Sequence, residues 1–394
     1  MKKKIYYFFL ALLPILAFVS GGKIIWIYNI FLILLSVIYL RGIIPFSRIG
    51  FLLLMPILCN LSFSITGDSY LVSQSLFYLL TPFLFLWYGM QLSAILSKKK
   101  MLLFIIYSGT ATSVLYLGTG LLQLGLGAFY DIYALRNLHI ADLICSVISV
   151  FILLMPFTEN NGILIKSVTL RNIILFLNVT AIILSGSRTY YISCLLFLFI
   201  YLFYYNKKIF IIGFITLSGG LIFLLSLNSD DSLFIYKIQH SISETDIKRK
   251  IDTYEDANQY YRGYEGQMVL KEFNRGASAD LLLGTKMDHL IPLDFYIKLG
   301  EEFRNSVPIV HNGYLYLLRL GVLGCFFFLL FWFSFFRKLF HIKRNKFYYC
   351  LFLSTALTLL FSNYVITSFF TVEMFFAWII IGYFITKYRI FSMS

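Results

Sequence analysis

Long apolar runs alternate with short polar segments along this chain, and one long polar stretch interrupts them late. Runs of spanning length recur at about 5–21, 24–40, 49–66, 70–96, 101–125, 141–157, 171–187, 189–205, 209–227, 313–336, 347–367 and 369–386. A bilayer core of about 30 Å takes roughly 20 apolar residues to cross as a helix. A helix can cross because it satisfies its own backbone groups without water. The pattern predicts an all-α polytopic bundle of about twelve transmembrane helices, nine within 1–227 and three within 313–394. The first run follows Lys2, Lys3 and Lys4 with no small-residue cleavage site after it, so it reads as an uncleaved helix.

Residues 228–312 break the pattern and hold 14 of the 19 acidic residues. Structureless loops of such length are uncommon in compact proteins and usually functional. Tyr261, Tyr264, Met268 and Phe273 fall near helical spacing, Gly276 is a stop signal, and Leu281-Leu282-Leu283-Gly284 follows as a second short apolar piece. The stretch is predicted to form a helical cap over the outer mouth of the bundle.

Composition removes other classes. With 59% hydrophobic and 13% charged residues and a mean hydropathy of +0.81, the chain is no soluble globule, disordered protein or disulfide scaffold. The net charge of +14 would suggest nucleic acid in a soluble protein. Here its placement gives another reason. A cytoplasmic N-terminus puts nineteen Lys and Arg on inside segments and only Lys23, Arg136 and Arg188 on short outside ones, as expected of cytoplasmic loops. No nucleic-acid partner is needed. Both termini fall in the cytoplasm, and 228–312 falls outside. All five cysteines lie in apolar runs without a CxxC pair, which supports neither zinc nor redox chemistry.

Three constellations could carry chemistry. His311, Tyr314, Leu315 and Arg319 share one helical stripe where the polar stretch ends. From the residues alone His311 reads equally as a proton shuttle or as a cap at a helix start. Arg188 sits in the outer turn Ser185-Gly186-Ser187-Arg188, and Arg262 lies among Tyr260, Tyr261 and Tyr264 in the cap. A guanidinium fork suits phosphate oxygens, and aromatic faces suit sugar rings; a solvated or snorkelling arginine is the plain alternative. No GxxxxGK[ST] or HExxH motif occurs, nor a DxD triplet, so no nucleotide, metal or cofactor is indicated.

Together these features resemble the O-antigen polymerase/ligase superfamily of bacterial envelope glycosyltransferases. His311-Asn312-Gly313-Tyr314-Leu315 followed by Gly321-Val322-Leu323-Gly324 is similar to that family's His-Asn-x-Tyr-Leu and Gly-x-x-Gly pattern. Ser185-Gly186-Ser187-Arg188 looks like its Ser-Gly-Ser-Arg turn, and Arg262 with Leu282-Leu283-Gly284 looks like its loop arginine and Leu-Leu-Gly turn. The Arg-x10-Gly pattern of some O-antigen polymerases is missing, since no arginine here has a glycine eleven positions later.

The resemblance implies a GT-C-like bundle in the bacterial inner membrane, with an active site facing the periplasm. Its substrate would be an undecaprenyl-pyrophosphate-linked oligosaccharide, met in membrane lipid without a cofactor. A chain-length regulator protein is a further implied partner. Arg188 and Arg262 would hold the pyrophosphate and His311 would serve as base or hydroxyl positioner. Asn312, Tyr314, Arg319 and Tyr261 would line the substrate. Polymerisation of lipid-linked repeat units is the favoured activity in lipopolysaccharide and surface-polysaccharide biosynthesis. Ligation to lipid A–core is the alternative, and a flippase for the same lipid-linked units is the reading from another class.

Overall fold

The structure is a computed structural model that describes residues 2–19, 21–64, 67–129, 134–135, 143–155, 164–213, 246–299, 302–310, 313–365 and 374–388. Its helices begin where the apolar runs begin: α1 Lys2–Val19, α2 Gly21–Tyr39, α3 Arg48–Ser64, α4 Ser69–Ile95 and α5 Lys98–Leu124. Then come α6 Ile144–Leu154, α7 Val168–Leu184 and α8 Arg188–Tyr205. Of the expected run at 209–227, only its first residues are described, and they are helical. Among the described residues, four helices are long and apolar enough to cross a membrane: Ser69–Ile95, Lys98–Ala128, Arg188–Tyr205 and Leu315–His341. Polar caps fix the starts. The Asp68 carboxylate accepts from the N–H groups of Tyr70 and Leu71 at the head of α4, and Ser97 accepts from Lys100 at the head of α5.

Three helices follow the cap: α12 Leu315–His341, α13 Lys346–Val365 and α14 Phe375–Lys387. Helix α14 is buried from Phe375 to Thr386 and apolar all round, which suits a central helix. It lies on α4 through reciprocal glycines. A Cβ at Gly89 would overlap the Ile379 carbonyl, and one at Gly382 would overlap the Leu86 carbonyl. Small residues at such positions let two helix backbones approach closely.

Three lysines meet at one end of the bundle. Lys98 Nζ lies over the rings of Tyr348 and Tyr388, at 5.3 and 4.7 Å. Lys387 donates to the Ser93 carbonyl at 2.9 Å, and Lys338 to that of Ile385. Past a break at Gly321, helix α12 runs on from Val322 to His341, about 30 Å at 1.5 Å per residue. Its first residue, at the cap, therefore stands at the opposite end from this basic girdle.

Among its described residues the cap is helical up to Leu283, where α9 Tyr254–Gln259, α10 Tyr261–Arg275 and α11 Ser278–Leu283 run in sequence. The expectation of an entirely helical cap is corrected by an antiparallel hairpin, β1 Ile291–Leu299 with β2 Glu302–Val307. The alternation explains it. Ile291 and Leu293 point inward and Phe295 is half-buried, while Pro292, Asp294 and Tyr296 are exposed. Tyr264 joins helix to hairpin, its hydroxyl oxygen accepting from the N–H groups of Asp294 at 2.8 Å and Phe295 at 3.1 Å. Met268, Val269, Ile291, Val307, Leu315 and Leu318 form one apolar cluster, so the cap shares its core with the start of α12.

Candidate functional site at the cap junction

Helix α12 breaks one turn and a half after it starts, because Gly321 adopts φ 62° and ψ −166°. That conformation is open to glycine and costly for other residues. The break frees carbonyls that a regular helix would use internally, and the cap supplies their partners. Thr285 N–H donates to the Leu318 carbonyl at 2.8 Å. The Asn60 amide, fully buried on α3, donates to the carbonyls of Arg319 at 2.7 Å, Thr285 at 3.0 Å and Leu283 at 3.1 Å. Gly284, at φ 86°, lies against the Arg319 backbone, and a Cβ on Gly321 would come within 2.5 Å of Gly284 N and Leu282 O. The Leu-Leu-Gly turn and the first glycine of the Gly-x-x-Gly pair, 37 residues apart, are thus in direct backbone contact.

Arg319 is 1% exposed. Its guanidinium donates to the carbonyls of Lys286 at 2.8 Å, His289 at 2.7 Å and Pro308 at 2.6 Å. These bonds clasp the loop before β1 and the segment after β2 onto α12. The arginine expected to line the substrate is thus bonded through its terminal nitrogens to cap carbonyls.

The other predicted residues are placed as follows. His311 and Asn312 lie outside the described residues. Gly313 sits so close to α13 that a Cβ would meet the Asn363 carbonyl at 2.6 Å, and Tyr314 next to it is half-buried. Arg188 is half-buried at the head of α8, after the Gly186 turn with φ 57°. Helices α8 and α13 run antiparallel, with Tyr204 on Tyr349 at 4.9 Å and the Cys350 thiol against the Ile200 carbonyl. Arg188 and Asn363 each lie about 18–20 Å of helix from that contact. Tyr261 and Arg262 are half-buried at the start of α10. Tyr261 is hydrogen-bonded to the buried Glu265 carboxylate. Burial first, then that negative charge, raises its phenol pKa.

Sequence reasoning missed Asn60, whose role depends on residues more than 220 positions away. It also missed a polar cavity of about 450 Å³ beside the junction. Glu272 and Arg275 line it from α10, and Lys286, Asp288 and His289 from the following loop. His289 Nε2 stands 3.0 Å from Glu272 Oε1, at ion-pair distance but off the hydrogen-bonding direction. Asp288 reaches across to the α3–α4 turn and accepts from Asp68 N–H at 3.1 Å. Among the described residues no three His, Cys, Asp or Glu side chains converge as a metal site requires. Comparison of the chain with protein-family models, with curated proteins and with solved structures finds no match.

Proposed function

We propose that this chain is a surface-polysaccharide polymerase, a glycosyltransferase that uses undecaprenyl-pyrophosphate-linked repeat units at the outer face of the inner membrane. One observation carries the reading: the Leu283-Gly284 turn seats in the Gly321 kink, directly after the His311-Asn312-Gly313-Tyr314-Leu315 motif. A twelve-span topology with the cap in the periplasm accompanies it, and the basic girdle opposite the cap supports that orientation.

In the proposed step an acceptor hydroxyl attacks the anomeric carbon of the donor sugar. The bond from that carbon to the pyrophosphate oxygen breaks, and undecaprenyl pyrophosphate leaves with the bonding pair. Arg188 and Arg262 stabilise the charge on the leaving oxygens. They stay protonated and cannot accept the hydroxyl proton, which goes to His311. Tyr261, Asn312 and Tyr314 line the sugar path. Arg319 is a positioning residue that holds the cap against α12.

The test pairs a deletion strain with a reconstituted assay on lipid-linked repeat units. Single repeats on lipid A–core in the deletion strain support polymerisation. Complete antigen loss with long lipid-linked chains accumulating means ligation, and lipid-linked units stranded in the inner leaflet mean transport. In vitro, His311→Ala and His311→Asn are both expected to lose about 10²–10⁴ in rate with unfolding temperature unchanged. Arg188→Ala is expected to lose about 10² or more, with Lys a poor substitute for the bidentate fork. An active His311→Asn variant removes the base from the mechanism.

A further inference from the structure

Away from the cap, an apolar groove of about 390 Å³ runs between α1 and α5. Tyr7, Ala11 and Pro14 form one wall, and Lys100, Phe104 and Ala111 the other. Ala11 and Ala111, with Ser108, are small enough to leave a channel between bulkier neighbours. From Lys100 to Ala111 the groove follows α5 for about 16 Å. One leaflet of hydrocarbon is about 15 Å deep, half of the bilayer core. The groove therefore has the length and polarity of a single acyl chain lying along the helices.

Its mouth has a defined charge. Lys100 is the one charged residue in the lining, and no carboxylate accompanies it. The Lys100 ammonium is exposed, 3.5 Å from the Tyr7 hydroxyl and 5.5 Å from the centre of that ring. Both groups can donate to a phosphate oxygen. Lys98 is occupied differently, over Tyr348 and Tyr388. The mouth opens at the basic end of the bundle, opposite the cap. We infer that this groove binds one anionic phospholipid, its acyl chain against Ala11 and Ala111 and its phosphate on Lys100 and Tyr7. Basic pockets between membrane helices on the cytoplasmic side recognise such headgroups. The inference stands independently of glycosyl transfer, and the end at which the groove opens separates it from a donor bound beneath the cap.

The test is native mass spectrometry of the purified full chain in detergent, titrated with palmitoyl-oleoyl phosphatidylglycerol or the matching phosphatidylcholine. One phosphatidylglycerol is expected to be retained in preference to phosphatidylcholine. Lys100→Ala is expected to weaken its retention about fivefold, the effect of one basic residue near the lipid surface. Ala11→Leu fills the groove from a lipid-facing position without changing charge, and should weaken retention as strongly. Lys99→Ala removes an exposed charge outside the lining and should change it less than about twofold. Thermal unfolding of each variant confirms folding. Equal losses in Lys99→Ala and Lys100→Ala, an unaffected Ala11→Leu, or equal retention of the two lipids would overturn the inference.

Discussion

The α4–α14 seam and the cap–α12 junction both bring backbones into contact through glycines, but different forces hold them there. At the seam Gly89 and Gly382 face the carbonyls of Ile379 and Leu86, where both helices run on unbroken. Close packing holds the glycines together, and Lys387 and Tyr383 donate to the Ser93 and Leu96 carbonyls at the end of the seam. At the junction Gly284 meets Gly321 where a helix has been broken, so every freed carbonyl needs an outside donor. Asn60 and Thr285 provide donors there, and Arg319 in turn donates to carbonyls of the cap. A seam of the first kind tolerates no added volume. A junction of the second kind tolerates no lost donor.

Substitutions can break this contrast. The largest effect is expected from Gly382→Val, which drives a branched side chain into the Leu86 backbone. Overpacking of this sort costs about 1–3 kcal/mol even in cores that can adjust, and two central helices cannot move apart locally. The expected outcome is loss of folded protein in detergent, read by size-exclusion profile. A normal profile would show that the seam is looser than its geometry indicates.

Next come the donors of the junction. Arg319→Met and Asn60→Ala each leave buried carbonyls without a partner, at about 1–3 kcal/mol per orphaned group. Each is expected to open the cap to protease between α11 and β1 while the bundle core resists digestion. The double variant should fall short of the sum, because Asn60 donates to the carbonyl of Arg319 itself. Global unfolding in either single variant would mean that cap and bundle are one cooperative unit. The smallest effect belongs to Lys271→Ala on the cap surface. It removes the Lys271–Asp294 pair at 2.8 Å, which is partly exposed on both sides. A loss below about 1 kcal/mol is expected, and a larger one would show that this pair anchors the hairpin to α10.

The hairpin shows why part of the cap was legible and still misread. Ile291, Leu293 and Phe295 alternate with Pro292, Asp294 and Tyr296, a period of two that favours a strand. The helical spacing of Tyr264 and Met268 upstream is real, but it stops at Gly276, and the pattern beyond changes period. Arg319 differs in kind. A lone arginine a turn into an apolar helix is a candidate for function by default. Nothing near it in sequence says that a cap loop will meet its guanidinium.

The sequence by itself marked the described helices, their apolar faces and the lysines that flank several of their ends. These follow from periodicity and charge, which act within a few residues. It also marked the glycines of the Leu-Leu-Gly turn and of the following helix. Only the tertiary structure decided that Gly284 lies on Gly321, that Asn60 serves a carbonyl 259 residues away, and that Arg319 clasps the cap. Those pairings depend on which backbone groups remain unsatisfied after the helices assemble, and no local pattern records that.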